Sequence, residues 1–181
     1  MAISNAFVLF VGGLQRNKNL PRLVEAFRRA DLGHLQLVIA GPDHNDSKVI
    51  NREILGDARF VRLDSPTDEE LAWLYFNCSY VTMPSLYEGQ GLPIVEAMAF
   101  GKPILTSCIG AMSEVAGSAG LLVDPFDVDS IAGGLRRLTE DRLLAASLTV
   151  EASRRAPLFS WGAAAVLMRN LYLEAISSAP Y

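Results

Sequence analysis

The sequence is poor in the residues that build metal centres and nucleophilic triads: its 181 residues hold two cysteines and two histidines. Cys78 and Cys108 have no partner at metal-ligand spacing and lie in apolar surroundings. They read as free, buried thiols of a reducing compartment. His34 precedes an apolar run and reads as a turn or surface residue. His44 stands in the stretch Gly41-Pro-Asp-His-Asn-Asp46, where Asp43 and Asp46 resemble a metal site only superficially, since Asp and Asn are ordinary turn residues after a strand. Neither histidine has a recognisable nucleophile beside it, so no triad is expected. An excess of basic charge is also missing. The formal net charge is -4, which argues against nucleic acid as a partner but leaves room for a local basic pocket around one phosphorylated ligand. Long apolar runs are absent too. Phe7 to Val11 is short and has no basic residues before it, so it reads as a buried strand and not as a leader or a membrane span. No internal repeat appears, and no linker is long enough to mark a second domain.

What is present is half hydrophobic residues and one fifth charged ones, the composition of one globular core. Short apolar runs alternate with amphipathic segments. Strands are expected at Phe7–Val11, Leu35–Ala40, Phe60–Leu63, Tyr80–Met83, Pro103–Thr106 and Gly120–Val123. Helices are expected at Leu20–Ala30, Ser47–Leu55, Thr67–Phe76, Leu92–Phe100, Ser113–Ala116, Val128–Leu138, Asp141–Arg154 and Trp161–Ala175. Thr67 followed by Glu70 is a capping box. Trp73 and Trp161 fall on helical faces with apolar neighbours and read as core or interface residues. Near-continuous apolar strands alternating with helices predict an α/β fold: a single doubly wound, Rossmann-like parallel sheet of about six strands flanked by helices. In such a sheet the ligand sits beyond the carboxyl ends of the strands.

Those ends carry the informative residues. Gly12 and Gly13 allow a tight turn and a close backbone approach. Arg16 and Lys18 follow, just before a helix whose free N–H groups suit an anion. Together these are ingredients of a diphosphate site, although a glycine turn with solvated basic residues would read the same way. After the fourth strand comes Glu88 in a loop with Gly89 and Gly91. Pro93 fits the first helical turn. Glu96 sits between apolar neighbours in that helix. It either stabilises the helix start through the dipole or turns inward, and vicinal ribose hydroxyls would suit it. Two carboxylates eight positions apart also allow general acid/base work, but no separate sugar cleft can be identified.

Taken together, four stretches resemble the carboxyl-terminal domain of the retaining glycosyltransferases of family GT4, which have two facing Rossmann-like domains (the GT-B fold). They are Phe10–Phe27, Leu37–Pro42, Pro84–Pro103 and Met112–Pro125. The most specific is Pro84–Pro103, which resembles the family's Glu-x7-Glu motif at Glu88 and Glu96. The resemblance covers roughly residues 7 to 175.

The resemblance implies one half of a GT-B architecture. Residues 1–181 would be a donor-binding domain, with a core at 7–157 and a tail at 158–181 whose helix packs on a missing amino-terminal domain. It implies transfer of a hexose from a nucleoside-diphosphate sugar, GDP- or UDP-linked, to a glycan or lipid-linked acceptor. Lys18 would contact the diphosphate. Glu88, with the backbone of Gly89, Gln90, Gly91 and Leu92, would hold the sugar or the nearby phosphate, and Glu96 the ribose. Gly12, Gly13 and Arg16 complete the donor set. Glu114 matches a family position without a firm role. No cofactor and no metal are implied. The implied partners are the nucleotide sugar and an acceptor-binding domain in the same or another chain. The location implied is cytoplasmic, with a peripheral place at the inner membrane face for the full-length protein. Three departures stand out. Gly13 stands where many members have Arg, with Arg16 the expected compensation. Asn17 stands where others are basic, and Gln90 replaces the usual Phe. The chain is expected to be inactive alone. A non-catalytic nucleotide-sugar-binding or scaffolding module is the alternative, ahead of an epimerase or hydrolase acting on nucleotide sugars.

Overall fold

Apolar residues run unbroken through the short segments that become strands. A computed structural model describes residues 3, 6–33, 35–44 and 47–178. It forms six parallel strands: β1 (Phe7–Val11), β2 (Gln36–Ala40), β3 (Phe60–Leu63), β4 (Tyr80–Met83), β5 (Ile104–Ser107) and β6 (Gly120–Val123). Their order across the sheet is β3-β2-β1-β4-β5-β6. Side chains alternate along β1. Val8 and Phe10 join one apolar cluster, whereas Phe7, Leu9 and Val11 join another. The strand period of two therefore feeds two cores, one on each face of the sheet.

The first core is covered by α1 (Leu20–Ala30), α2 (Ser47–Ile54) and α6 (Val128–Glu140). The second is covered by α3 (Asp68–Asn77), α4 (Leu92–Ala99) and α5 (Gly110–Ala116). The sequence of α1 shows why it packs so: Leu20, Leu23, Val24 and Phe27 recur at helical spacing and are buried. α7 (Arg142–Arg155) buries Leu148 toward one core and Ala152 toward the other. The Thr67–Glu70 capping box forms with both of its bonds.

The six strands and eight helices follow the expected order, and the fold is the expected doubly wound sheet. The short helix after β5 begins at Gly110, earlier than its sequence pattern suggests, and Gly110 itself takes a positive φ of 61° at the turn into it. α8 (Trp161–Ser178) outruns its expected end at Ala175. It buries none of its residues. Trp161, Val166, Leu167, Leu171 and Ile176 are all exposed. Trp161 is thus no core residue, and Trp73 is half exposed, stacked on Phe7. Cys78 is buried but Cys108 is exposed, which corrects the reading of two buried thiols. Cys108 follows the last residue of β5, where the chain leaves the sheet, so its apolar neighbours in sequence are not its neighbours in space. His34 and Asp46 lie outside the described residues.

β1 is the switch point. It pairs with β2 over five residues, Phe7↔Gln36 to Val11↔Ala40, but with β4 over only two, Val8↔Tyr80 and Leu9↔Val81. Beyond Leu9 the two strands part, and their loops diverge around a crevice.

Near the opposite, amino-terminal end of β3, Asp57 accepts from the Arg59 side chain at 2.9 and 2.8 Å and from the Arg59 backbone, with Arg28 at 3.5 Å. The Arg59 side-chain bonds are the main reason its carboxyl is held down at about 2, from an ordinary 3.8. A depressed carboxyl contributes stability above its unfolded value and loses it as pH falls through the folded one. Asp57→Asn is therefore expected to lower the thermal midpoint at pH 7 by about 2–4 °C. The difference from the parent should shrink as pH falls from about 4 to about 2. Thermal unfolding of both proteins across that range checks it. A difference that persists unchanged at pH 2 would show that the ion pair is not its source.

Candidate donor site

The loop after β1 is built to reach the loop after β4. Gly12 takes φ 149°, and its N–H donates to Ala40 O at 2.9 Å. A short 3-10 turn, Arg16–Lys18, follows. Asn19 then adopts the left-handed conformation, at φ 61°, and is buried. Asn tolerates that region better than most residues. Its side-chain amide donates to Pro84 O at 2.9 Å and to Pro125 O at 2.7 Å, stapling the chain beyond β1 to the chain beyond β4 and β6. Asn17 adds two more ties: its carbonyl accepts from Leu86 N at 2.8 Å, and its side chain donates to Tyr87 O at 3.0 Å. The Ser107 hydroxyl donates to Ser85 O from the neighbouring strand end.

These ties bring Lys18 to Glu88. Nζ lies 2.7 Å from Oε1, and the two side chains are only 12% and 11% exposed. The lysine lies along Gly12, where a Cβ would stand 3.2 Å from Lys18 Cε. Lys18 is thus not the solvated base that a simple glycine turn would leave. Oε1 is shielded from solvent, and the Lys18 ammonium is the charge that compensates it.

Glu96 lies on α4, which starts at Leu92 after Gly91 (φ 72°), with Pro93 in its first turn as expected. Its Oε2 accepts from the Tyr75 hydroxyl at 2.6 Å. Tyr75 is buried and stacked on Phe100. Burial first, and Glu96 second, push its phenol well above the ordinary range, so it stays a donor. Glu96 therefore does more than stabilise a helix start. Together with Gln90, Leu92, Val95, Phe159 and Trp161 it lines a cavity of about 310 Å³.

The remaining expected residues divide. Gly89 is exposed, and a Cβ there would meet open space, so nothing nearby crowds it. Arg16 lines a different groove, with Leu14, Leu20, Pro21, Val49 and Ile50. Gly13 faces His44: a Cβ at 13 would stand 2.4 Å from His44 Nε2. Glu114 is exposed on α5, and its carbonyl accepts from Arg155. Sequence reasoning missed Asn17, Asn19 and Tyr75 as supporting residues. The capping preference of Asn just before a helix was the only signal available for Asn19. A larger depression, about 490 Å³, is walled by Ile54, Leu55, Asp57 and Phe60 at the far edge of the sheet. It lies away from the strand ends and gathers none of these groups. Among the described residues no three His, Cys, Asp or Glu side chains group as metal ligands would, and no helix is long and apolar enough to cross a membrane.

Comparison with known proteins bears on the family and the fold. The family model described as "Glycosyl transferases group 1" matches residues 4–155. O-antigen chain mannosyltransferase B of Escherichia coli is 31% identical over 161 residues, covering 86% of this chain and 42% of that protein. D-inositol 3-phosphate glycosyltransferase of Corynebacterium aurimucosum is 34% identical over 187 residues, covering 94% and 43%. Among solved structures, sucrose-phosphate synthase from Thermosynechococcus elongatus superimposes with a TM-score of 0.82 at 28% identity, over 99% of this chain and 47% of that one. HepE of Anabaena, solved with UDP and glucose, shares the fold at a TM-score of 0.79 and 23% identity, covering 98% and 50%. The chain spans less than half the length of those two curated relatives. The expected fold, one half of the GT-B architecture, and the family match together lead to one statement: this chain belongs to the group 1 glycosyl transferases.

Proposed function

We propose that the chain is the donor-binding half of a retaining glycosyltransferase and holds a nucleoside-diphosphate hexose, GDP- or UDP-linked, in the crevice between β1 and β4. The observation that carries this reading is the largely buried pair of Lys18 and Glu88 at the strand switch. A diphosphate would take Lys18 as its counter-charge. Glu88 would then turn to the sugar hydroxyls or stay beside the phosphate, with the backbone of Gly89, Gln90, Gly91 and Leu92 around it. Glu96, oriented by Tyr75, would accept from the ribose diol. The departing charge falls on the nucleotide diphosphate, and basic side chains and helix N-termini would stabilise it without a metal ion. The names of the relatives, a mannosyltransferase and an inositol-phosphate glycosyltransferase, support a sugar donor. The acceptor would be a glycan or a lipid-linked glycan, held by a second domain in the same or a partner chain. The place of action would be the cytoplasm, with peripheral contact at the inner membrane face for the joined protein.

The test is calorimetry of this chain with GDP, UDP, ADP and their sugar conjugates. Weak binding of at least one is expected. No heat and no NMR shifts at millimolar ligand would end the reading. Glu96→Gln keeps an acceptor for Tyr75 but removes the charge. It should weaken binding by about 5- to 150-fold, the effect of about 1–3 kcal/mol, with the fold preserved by circular dichroism. Equal affinity of the parent for ribo- and 2'-deoxyribonucleotides would remove Glu96 from the ribose.

A further inference from the structure

Gly12 and Gly13 are bare for different reasons. Gly12 has a positive φ, whereas Gly13 is not among the residues with one. Its backbone would accept a side chain, yet the space over its α-carbon is taken. A Cβ there would stand 2.4 Å from His44 Nε2 and 2.6 Å from Cδ2. Gly13 is thus the seat of an imidazole, just as Gly12 is the seat of Lys18, whose Nζ lies 3.5 Å from a Cβ built on Gly12. Two nitrogen-bearing side chains lie over consecutive glycines at the carboxyl end of β1, one from the same loop and one from the loop after β2.

The backbone that carries His44 is fixed. Its N–H donates to the Ser47 hydroxyl at 2.6 Å, and its carbonyl accepts from Ser47 N at 2.9 Å. Ser47 is buried. The preceding Asp43 is held by Arg62 at 2.8 Å and by Asn51 at 3.1 Å. The same guanidinium donates to the carbonyls of Gly41 and Leu63. The Asp43 carboxylate therefore already has a counter-charge. His44 itself remains exposed.

A diphosphate brings more negative charge than one ammonium already paired with Glu88 can meet, and Arg16 lines another groove. We propose that His44 is a further donor-binding residue: its imidazole, seated over Gly13, donates to the diphosphate of the bound nucleotide alongside Lys18. This rests on the nucleotide-sugar reading above. It assigns Gly13 a role too, as the residue whose missing side chain admits the ring.

Calorimetry of this chain with UDP, GDP, UMP and GMP tests it. His44→Ala should weaken the diphosphates by about tenfold, in the range for a hydrogen bond to a charged group, and the monophosphates by less than about threefold. Gly13→Ala should displace the ring and cause a similar loss. In the double variant, His44→Ala with Gly13→Ala, the alanine meets no ring, so the two losses should not add. Thermal midpoints within about 2 °C of the parent would separate lost binding from lost folding. Parental affinity for diphosphates in His44→Ala, or an equal loss for mono- and diphosphates, overturns the role of His44 while leaving the donor reading intact. No diphosphate binding by the parent overturns both.

Discussion

Replacing Lys18 by methionine together with Glu88 by glutamine, in the two-domain protein proposed above, is expected to cut sugar transfer at least about 10²- to 10³-fold. The pair is changed together for a physical reason. Each group is only about one-tenth exposed, and deleting one would leave the other buried and uncompensated, at a cost of about 3–5 kcal/mol. A single Lys18→Ala variant could then lose activity by unfolding. The double exchange removes both charges and keeps comparable volume, so the fold should survive while the proposed counter-charge to the diphosphate is gone. Mass spectrometry of the product, with a thermal melt on the same sample, separates the two effects. Transfer at the parental rate by the double variant would remove Lys18 and Glu88 from the chemistry. The same assay run on this chain alone should give no product, since orientation and desolvation need a second wall. Robust turnover by the isolated chain would overturn the half-enzyme reading. Bound donor without turnover in the joined protein would favour a non-catalytic binding module.

Gly41→Ala is expected to be the most damaging single methyl group in the molecule. Gly41 takes φ 142°, a conformation that disfavours any side chain. A Cβ there would lie 2.3 Å from Gly12 O and 2.6 Å from Gly12 C. Those are backbone atoms of the neighbouring strand end, and Gly12 N is itself bonded to Ala40 O. Neither side can yield without breaking the β1–β2 ladder where the donor loop begins. Strain and overpacking together should cost about 3 kcal/mol or more. That corresponds to a fall of roughly 10 °C in thermal midpoint, or to loss of soluble protein. Gly89→Ala is the control, because a Cβ there would meet nothing within 4 Å. A parental melting curve for Gly41→Ala would show that the close approach of the two strands is not obligatory.

Strand and helix positions were legible because each rests on local pattern. The five apolar residues of β1, the Thr67–Glu70 box and the spacing of Leu20, Leu23, Val24 and Phe27 speak for themselves within a few residues. Lys18 and Glu88 were singled out chiefly through family resemblance. Their pairing at 2.7 Å depends on Asn17 and Asn19 reaching across the switch, contacts between loops that no local pattern reveals. The Tyr75–Glu96 bond and the His44–Gly13 contact are of the same kind: each joins residues from elements that only the folded sheet brings together. Cys108 was misjudged for a related reason, since its apolar sequence neighbours belong to a strand that ends one residue earlier.

The two-pair ladder between β1 and β4 also bears on how the molecule comes together. The residues that tie the two halves are far apart along the chain, 70 positions for Asn17 and Tyr87. The β1–β2 ladder, in contrast, has five pairs joined through a single helical crossover. Long loops are costly to close before their contacts are made. The half-sheet β3-β2-β1 can therefore form from nearer neighbours, whereas its join to β4 needs contacts made across longer stretches of chain. The crevice exists only once that join has closed. A ligand gripped by Lys18 on one side and Glu88 on the other would hold the two halves together and draw the folding equilibrium toward the closed sheet.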